Sequence, residues 1–224
     1  MALSTDTIQP APQDDAPLAI DEGGFLTPQR IKVIGIALAV VLVVAAGVWF
    51  AITAGKRKEA FAAKALEDAR LVAEQGNLPE AVSQFEKVIV SYKGTSAAYS
   101  AALGVAQARL VSGQTELAIS SLTEFLKGNP PALYAAPAYG LLGTAHENTG
   151  KHAEAAADYR RSADAATDDY LKATALLDAG RAYRNAKNRE EAIKSYQEIL
   201  DKYGETAART EAEVRLAELT GGQG

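Results

Sequence analysis

Hydrophobic and polar positions follow three regimes along this chain. Residues 1–32 are polar, rich in acid and proline (Pro10, Pro12, Pro17, Pro28), and show no amphipathic period, so a disordered tail is expected. From Val33 to Ala54 the sequence VIGIALAVVLVVAAGVWFAITA is uncharged over 22 residues. At about 1.5 Å per residue a helix of that length matches the hydrocarbon thickness of a bilayer. A cleaved signal peptide would have a shorter apolar region close to Met1, and a soluble core helix would rarely need so long an unbroken run. The pattern therefore predicts an uncleaved transmembrane helix. Beyond Lys58 the chain becomes amphipathic with a helical period and is rich in alanine.

This third region repeats itself. Ala81, Ala118, Ala155 and Ala192 stand 37 residues apart, and other columns move with them. Five residues earlier stand Gly76, Gly113, Gly150 and Lys187; four residues later, Phe85, Leu122, Tyr159 and Tyr196. Twelve residues earlier a small residue recurs as Ala69, Ala106, Gly143 and Gly180. Two helices approach closely only where side chains are small. The small residue is thus placed midway along a first helix, against an alanine near the start of a second. A glycine ends the first helix because a positive φ is needed there. Lys187 departs from that column, so its turn is expected to be looser or to use Asn188. The bulky residue is expected to fill the gap toward the neighbouring pair. The turns QGNLPEA, SGQTELA, TGKHAEA and AKNREEA end in the acidic residues that a helix N-terminus favours.

The fold class expected is all-α: an N-terminal transmembrane helix, then an α-solenoid of about four helix pairs, then a capping helix. The boundaries read as tail 1–32, transmembrane helix 33–54, repeat domain 55–204 (units about 58–94, 95–131, 132–168 and 169–204) and capping helix 205–220. In the last segment Ala208, Ala212, Leu216 and Leu219 form one apolar stripe, suited to cover the open end of a stack. The terminal TGGQG reads as a frayed end.

Composition narrows the function classes. There is no cysteine, so disulfides and thiolate metal sites are excluded. The net charge of −5 is mild and sits mostly in the tail; the interspersed signs elsewhere leave no footprint for nucleic acid. Arg30 and Lys32 precede the apolar segment, whereas Lys56, Arg57, Lys58, Lys64 and Arg70 follow it. By flanking charge alone the repeats would face the cytoplasm, although long domains translocate largely regardless of such charge.

Little in the sequence points to catalysis. His146 and His152 lack the closed ligand set of a metal site and read as satisfied or solvated side chains. Asp168-Asp169 reads as a helix cap, Glu190-Glu191 as a solvated first turn, and no phosphate loop follows a strand. No catalytic residue, cofactor or metal is expected. In a solenoid the first helices line a concave face, and the register places Arg70, Gln107, Thr144 and Arg181 there, with Leu110, Glu147, Arg184 and Asn185 beside them. Together these form the candidate partner groove.

The columns resemble the tetratricopeptide repeat, more closely in the second helix than in the first. Pro130 in KGNPP matches that family's terminal proline, and Tyr139 its first aromatic, whose equivalents here are Ala65, Ala102 and Leu176. The basic and asparagine set of the family's carboxylate-clamping members is incomplete in this chain. A polar tail, one membrane helix and repeats ending in YGETAARTEAEVRLAEL resemble, with the segments VSYKGTSAA and LLGTAHENTGKHAEAAADY, the ancillary SecYEG translocon subunits. Their repeat domain is similar to that of the cell division coordinator of the Tol-Pal system. The resemblance implies an inner-membrane anchor with periplasmic repeats that contact the translocon, periplasmic chaperones or emerging chains. That orientation is adopted here over the one from flanking charge. A cell-envelope or division coordinator is the alternative.

Overall fold

A computed structural model of the chain describes residues 28–221. Among these are nine α-helices and no strand: α1 (Pro28–Glu74), α2 (Leu78–Ser91), α3 (Ser96–Val111), α4 (Thr115–Lys127), α5 (Ala132–Asn148), α6 (His152–Ala165), α7 (Asp169–Asn185), α8 (Arg189–Lys202) and α9 (Ala208–Thr220). The chain is all-α, with a long apolar helix at its N-terminal end. It divides into two compact units, Met1–Ile52 and Thr53–Gly224.

In the first unit, α1 begins at Pro28, inside the stretch expected to be tail. Proline suits a first helical turn because the amide proton it lacks would have no partner there. The remainder of the tail lies outside the described residues. Val33, Leu38, Val43 and Trp49 are all exposed, so this stretch is no core helix of a soluble domain, and it is long and apolar enough to cross a membrane.

The second unit is a stack of helical hairpins. α2, α4, α6 and α8 start at Leu78, Thr115, His152 and Arg189, keeping the 37-residue period. Ala81, Ala118, Ala155 and Ala192 have no exposed surface, and Ala69 and Ala106 are equally buried. Successive helices pack on one another, α3 also touches α5, and α9 lies against both α7 and α8. Ala208 and Ala212 are buried with Leu216 and Leu219 against the core of the last pair, so α9 closes that end.

Three local expectations are corrected or sharpened. Gly76, Gly113 and Gly150 do take positive φ, but in the fourth unit Lys187 itself does so, at 60°. Asn188 is instead the N-cap of α8, its side chain accepting from the Glu191 amide. A left-handed conformation costs an L-residue about 1–2 kcal/mol, part of which glycine would return as backbone entropy. Lys187→Gly is therefore expected to raise stability by about 0.5–1 kcal/mol in urea unfolding. The bulky column reaches toward the neighbouring pair as expected, but it also packs within its own pair. Tyr159 lies over Gly143 and Tyr196 over Gly180, each within its own pair, whereas Phe85 meets Gly104 of the next pair. Tyr159 then meets Ala179 and Ala182 of α7 with its remaining surface. Finally, Asp168 caps α7 as expected, accepting from the Leu171 amide at 2.9 Å.

Candidate protein-binding cleft

The proposed groove residues fall into two chemically different groups. In the third and fourth pairs they satisfy one another. Glu147 Oε2 accepts from the Tyr159 hydroxyl and from Arg181 Nη2, both at 2.9 Å. Thr144 Oγ1 lies 3.1 Å from the same hydroxyl and donates to the Gly140 carbonyl. The Arg181 guanidinium stands 5.9 Å from the Tyr159 ring centroid and pairs with Asp178 at 2.9 Å. Burial, reinforced by Glu147 and Asp178, pushes the Tyr159 phenol far above its ordinary range. Burial also raises the Asp178 carboxyl, against the pull of Arg181. For Arg181, burial works against the charge, but Asp178 and Glu147 outweigh it and raise its pKa. This cluster ties α5, α6 and α7 together and presents few unsatisfied groups to a ligand. Arg184 bonds Glu218 of α9 at 3.5 Å, Asn185 is exposed near the end of α7, and Leu110 is half-buried on α3.

Arg70 and Gln107 are placed otherwise. They stand on the rim of a cleft of about 570 Å³ between α1, α2 and α3. Its lining combines the apolar Ala73, Leu78, Phe85, Leu103, Ala108 and Val111 with the polar Glu74 and Ser100. Arg70 makes only a long pair with Glu67, at 3.9 Å, and both side chains are well exposed. A largely apolar lining with a few polar groups is the arrangement of a site that takes a large side chain and orients it.

Of the groove residues placed by register, Arg70 and Gln107 line this cleft, whereas its apolar lining was not among them. One signal for it was present. Gly104 has Glu67, Leu141 and Asp178 as its counterparts in the other units, so a larger residue is missing there. The Phe85 ring fills that space; a Cβ at Gly104 would stand 2.9 Å from its Cζ. The aromatic ring thereby becomes part of the surface between the first helices.

The histidines do not form a metal site with each other. His146 Nδ1 lies 2.7 Å from Asp158 Oδ2, while Arg161 holds the other carboxylate oxygen at 3.0 Å. His152, which was expected to be satisfied or solvated, is half-buried with no hydrogen-bond partner for its Nδ1 among the described residues.

Residues 58–222 match the protein family described as "YfiO: Outer membrane lipoprotein". No curated protein sequence matches the chain significantly. Among solved structures it is similar to BtubC (BKLC) from P. vanneervenii, at 13% identity over 75% of this chain and 85% of that one, with a TM-score of 0.57. It is similar to the MamA protein at 18% identity over 72% and 82%, with a TM-score of 0.56. A tetratricopeptide repeat protein from Parabacteroides merdae ATCC 43184 gives 16% identity over 71% and 60%, with a TM-score of 0.55. At these identities the likeness is one of fold, and the fold is that of tetratricopeptide-like repeats.

Proposed function

The chain belongs to the YfiO outer membrane lipoprotein family, and from that premise we propose that it is a membrane-anchored scaffold that holds partner proteins in the cleft between α1 and α3. The observation that carries this reading is the apolar cleft itself, open where the rest of the groove is closed by its own hydrogen bonds. Repeat folds of this kind work by protein–protein interaction, and the polar rim of Arg70, Glu74 and Gln107 would orient an apolar anchor residue from a partner.

The anchor differs in kind from the one the family's description names. These 224 residues hold no cysteine to carry a thioether-linked lipid. The apolar stretch Val33–Ala54 supplies the attachment instead. A spanning helix belongs to an inner membrane, since outer membranes are crossed by closed β-barrels. We therefore read the repeats as periplasmic, tethered to the inner membrane beside the Sec translocon, where chaperones and emerging chains are the partners. The family's outer-membrane description favours a second reading, an envelope or division complex as the ligand.

A photoreactive residue at position 70 of the full chain, in native membranes, separates these. Adducts with translocon components, chaperones or exported chains are expected. They should fall about tenfold when Gln107→Trp covers the cleft, as for loss of one well-packed anchor. Adducts confined to an envelope complex would select the second reading. Adducts unchanged by Gln107→Trp, or none at all, would remove the cleft as a binding site.

A further inference from the structure

The cations of the repeat domain are unevenly paired. From α3 onward most Lys and Arg side chains lie within ion-pair distance of a carboxylate, as Arg109 does with Glu86, Arg160 with Glu198 and Arg181 with Glu147. Among the described residues, none of Lys56, Arg57, Lys58, Lys64, Lys87 and Lys93 is in an ion pair. These cations gather where the chain enters the second unit. Lys58 Nζ donates to the Lys93 carbonyl at 2.8 Å, and Glu59 accepts from the Ser96 amide at 2.9 Å. The start of the hairpin's first helix is thus bound to the loop that ends its second. A carbonyl, not a carboxylate, accepts from Lys58, and the Lys93 side chain is exposed on the same loop.

Apolar side chains are exposed at the same end. Phe61 is 64% exposed and Val90, three residues before Lys93, is 80% exposed. Arg57, Phe61 and Lys64 share one face of α1, at intervals of four and three residues. Lys56, Arg57 and Lys58 are consecutive and so point around the helix in three directions. Lys64 stands no further than about 15 Å along the helix from Ala54, within reach of a headgroup layer about 7 Å deep plus one Debye length.

We propose that this end of the repeat domain is a lipid-binding foot: its cations hold the headgroups of anionic phospholipids while Phe61 and Val90 enter the interface. The proposal rests on the anchoring of the chain by Val33–Ala54. Continuity with that segment and the sign of the charge select the bilayer surface as the occupant. It also gives the basic residues after the apolar segment a role other than setting topology. A purely topogenic signal would not need Lys93 and Val90, more than thirty residues further on, folded against Lys58.

The absence of native cysteine makes the test direct. A nitroxide is attached to Val90→Cys in the full chain, reconstituted in vesicles of phosphatidylcholine alone or with phosphatidylglycerol added. Collision with oxygen and with a water-soluble nickel chelate reads its depth. With phosphatidylglycerol the label should become severalfold less accessible to nickel. The change should vanish in high salt and in a chain also carrying Arg57→Glu, Lys64→Glu and Lys93→Glu. A label at Val111→Cys, on the opposite turns, should stay in water throughout. Equal nickel accessibility in both vesicles, or a response that survives charge reversal, overturns the foot while carbonate-resistant flotation still upholds the anchor. Failure to float with either vesicle overturns both.

Discussion

Gly180→Ala is expected to lower the stability of the repeat domain by about 2–3 kcal/mol, although in an unconstrained helix interior the same change would add about 1 kcal/mol. A Cβ at this position would stand 2.5 Å from Cε1 and 2.6 Å from Cζ of Tyr196. That ring is 1% exposed and packed on all sides, so it has nowhere to retreat. The repeat itself supplies the rescue. Where the fourth unit sets glycine against tyrosine, the second sets Ala106 against Leu122, both buried. Tyr196→Leu alone should cost about 2 kcal/mol through the space it leaves. Combined with Gly180→Ala it should cost clearly less than the two losses added, a coupling of about 1 kcal/mol or more. Urea unfolding of the detergent-solubilised chain, followed by helical circular dichroism, measures all three variants. A neutral Gly180→Ala, or additive losses, would mean that the tyrosine does not lie where the fourth pair places it.

The same pairing explains how much of the architecture could be read in advance. A repeated column is legible because every unit solves one packing problem in the same way. The alanine seam, the positive-φ turns and the stripe on α9 all emerged from periodicity. What could not be read is what one unit does differently from the next. Lys187 takes a left-handed conformation because its turn keeps the geometry of its glycine-bearing counterparts, whatever residue stands there. The direction in which Tyr159 and Tyr196 point depends on Gly143 and Gly180 having no Cβ, a relation between two columns that neither displays alone. The groove illustrates the limit most clearly. Register alone places Arg70, Gln107, Thr144 and Arg181 at equivalent positions, yet Thr144 and Arg181 are engaged by Tyr159 and Glu147. At the first two units, where Ser100, Gly104 and Ala108 are small, space is left between the first helices. The cleft proposed to bind a partner is thus a departure from the repeat, and departures carry no period.

The second large effect expected is at Asp158, whose replacement by alanine should cost about 2–4 kcal/mol. Its side chain is almost wholly buried, yet it accepts from Arg161 and is bonded to His146 across the third hairpin. Removing it leaves the His146 ring, itself largely covered, facing a cavity with no acceptor. Arg161 can turn to solvent and should contribute little to the loss. The position is not intrinsically acidic. Its counterparts Ser121 and Ser195 bond back to the Leu117 and Glu191 carbonyls of their own helices, and those of His146 are Arg109 and Tyr183. Arg109 in turn donates to Ser121, so the second unit bridges its hairpin at the same two positions with different chemistry. The double replacement His146→Tyr with Asp158→Ser copies the fourth unit into the third and should recover about half or more of the loss from Asp158→Ala. Glu124→Ala, which breaks an exposed pair with Lys127, serves as the control and should stay within about 0.5 kcal/mol of the parent. If Asp158→Ala also stays within that margin, the carboxylate is not holding the hairpin together. If the transplanted pair fares no better than the single change, the units are not interchangeable at this bridge, and the equivalence of the 37-residue columns stops short of their polar contacts.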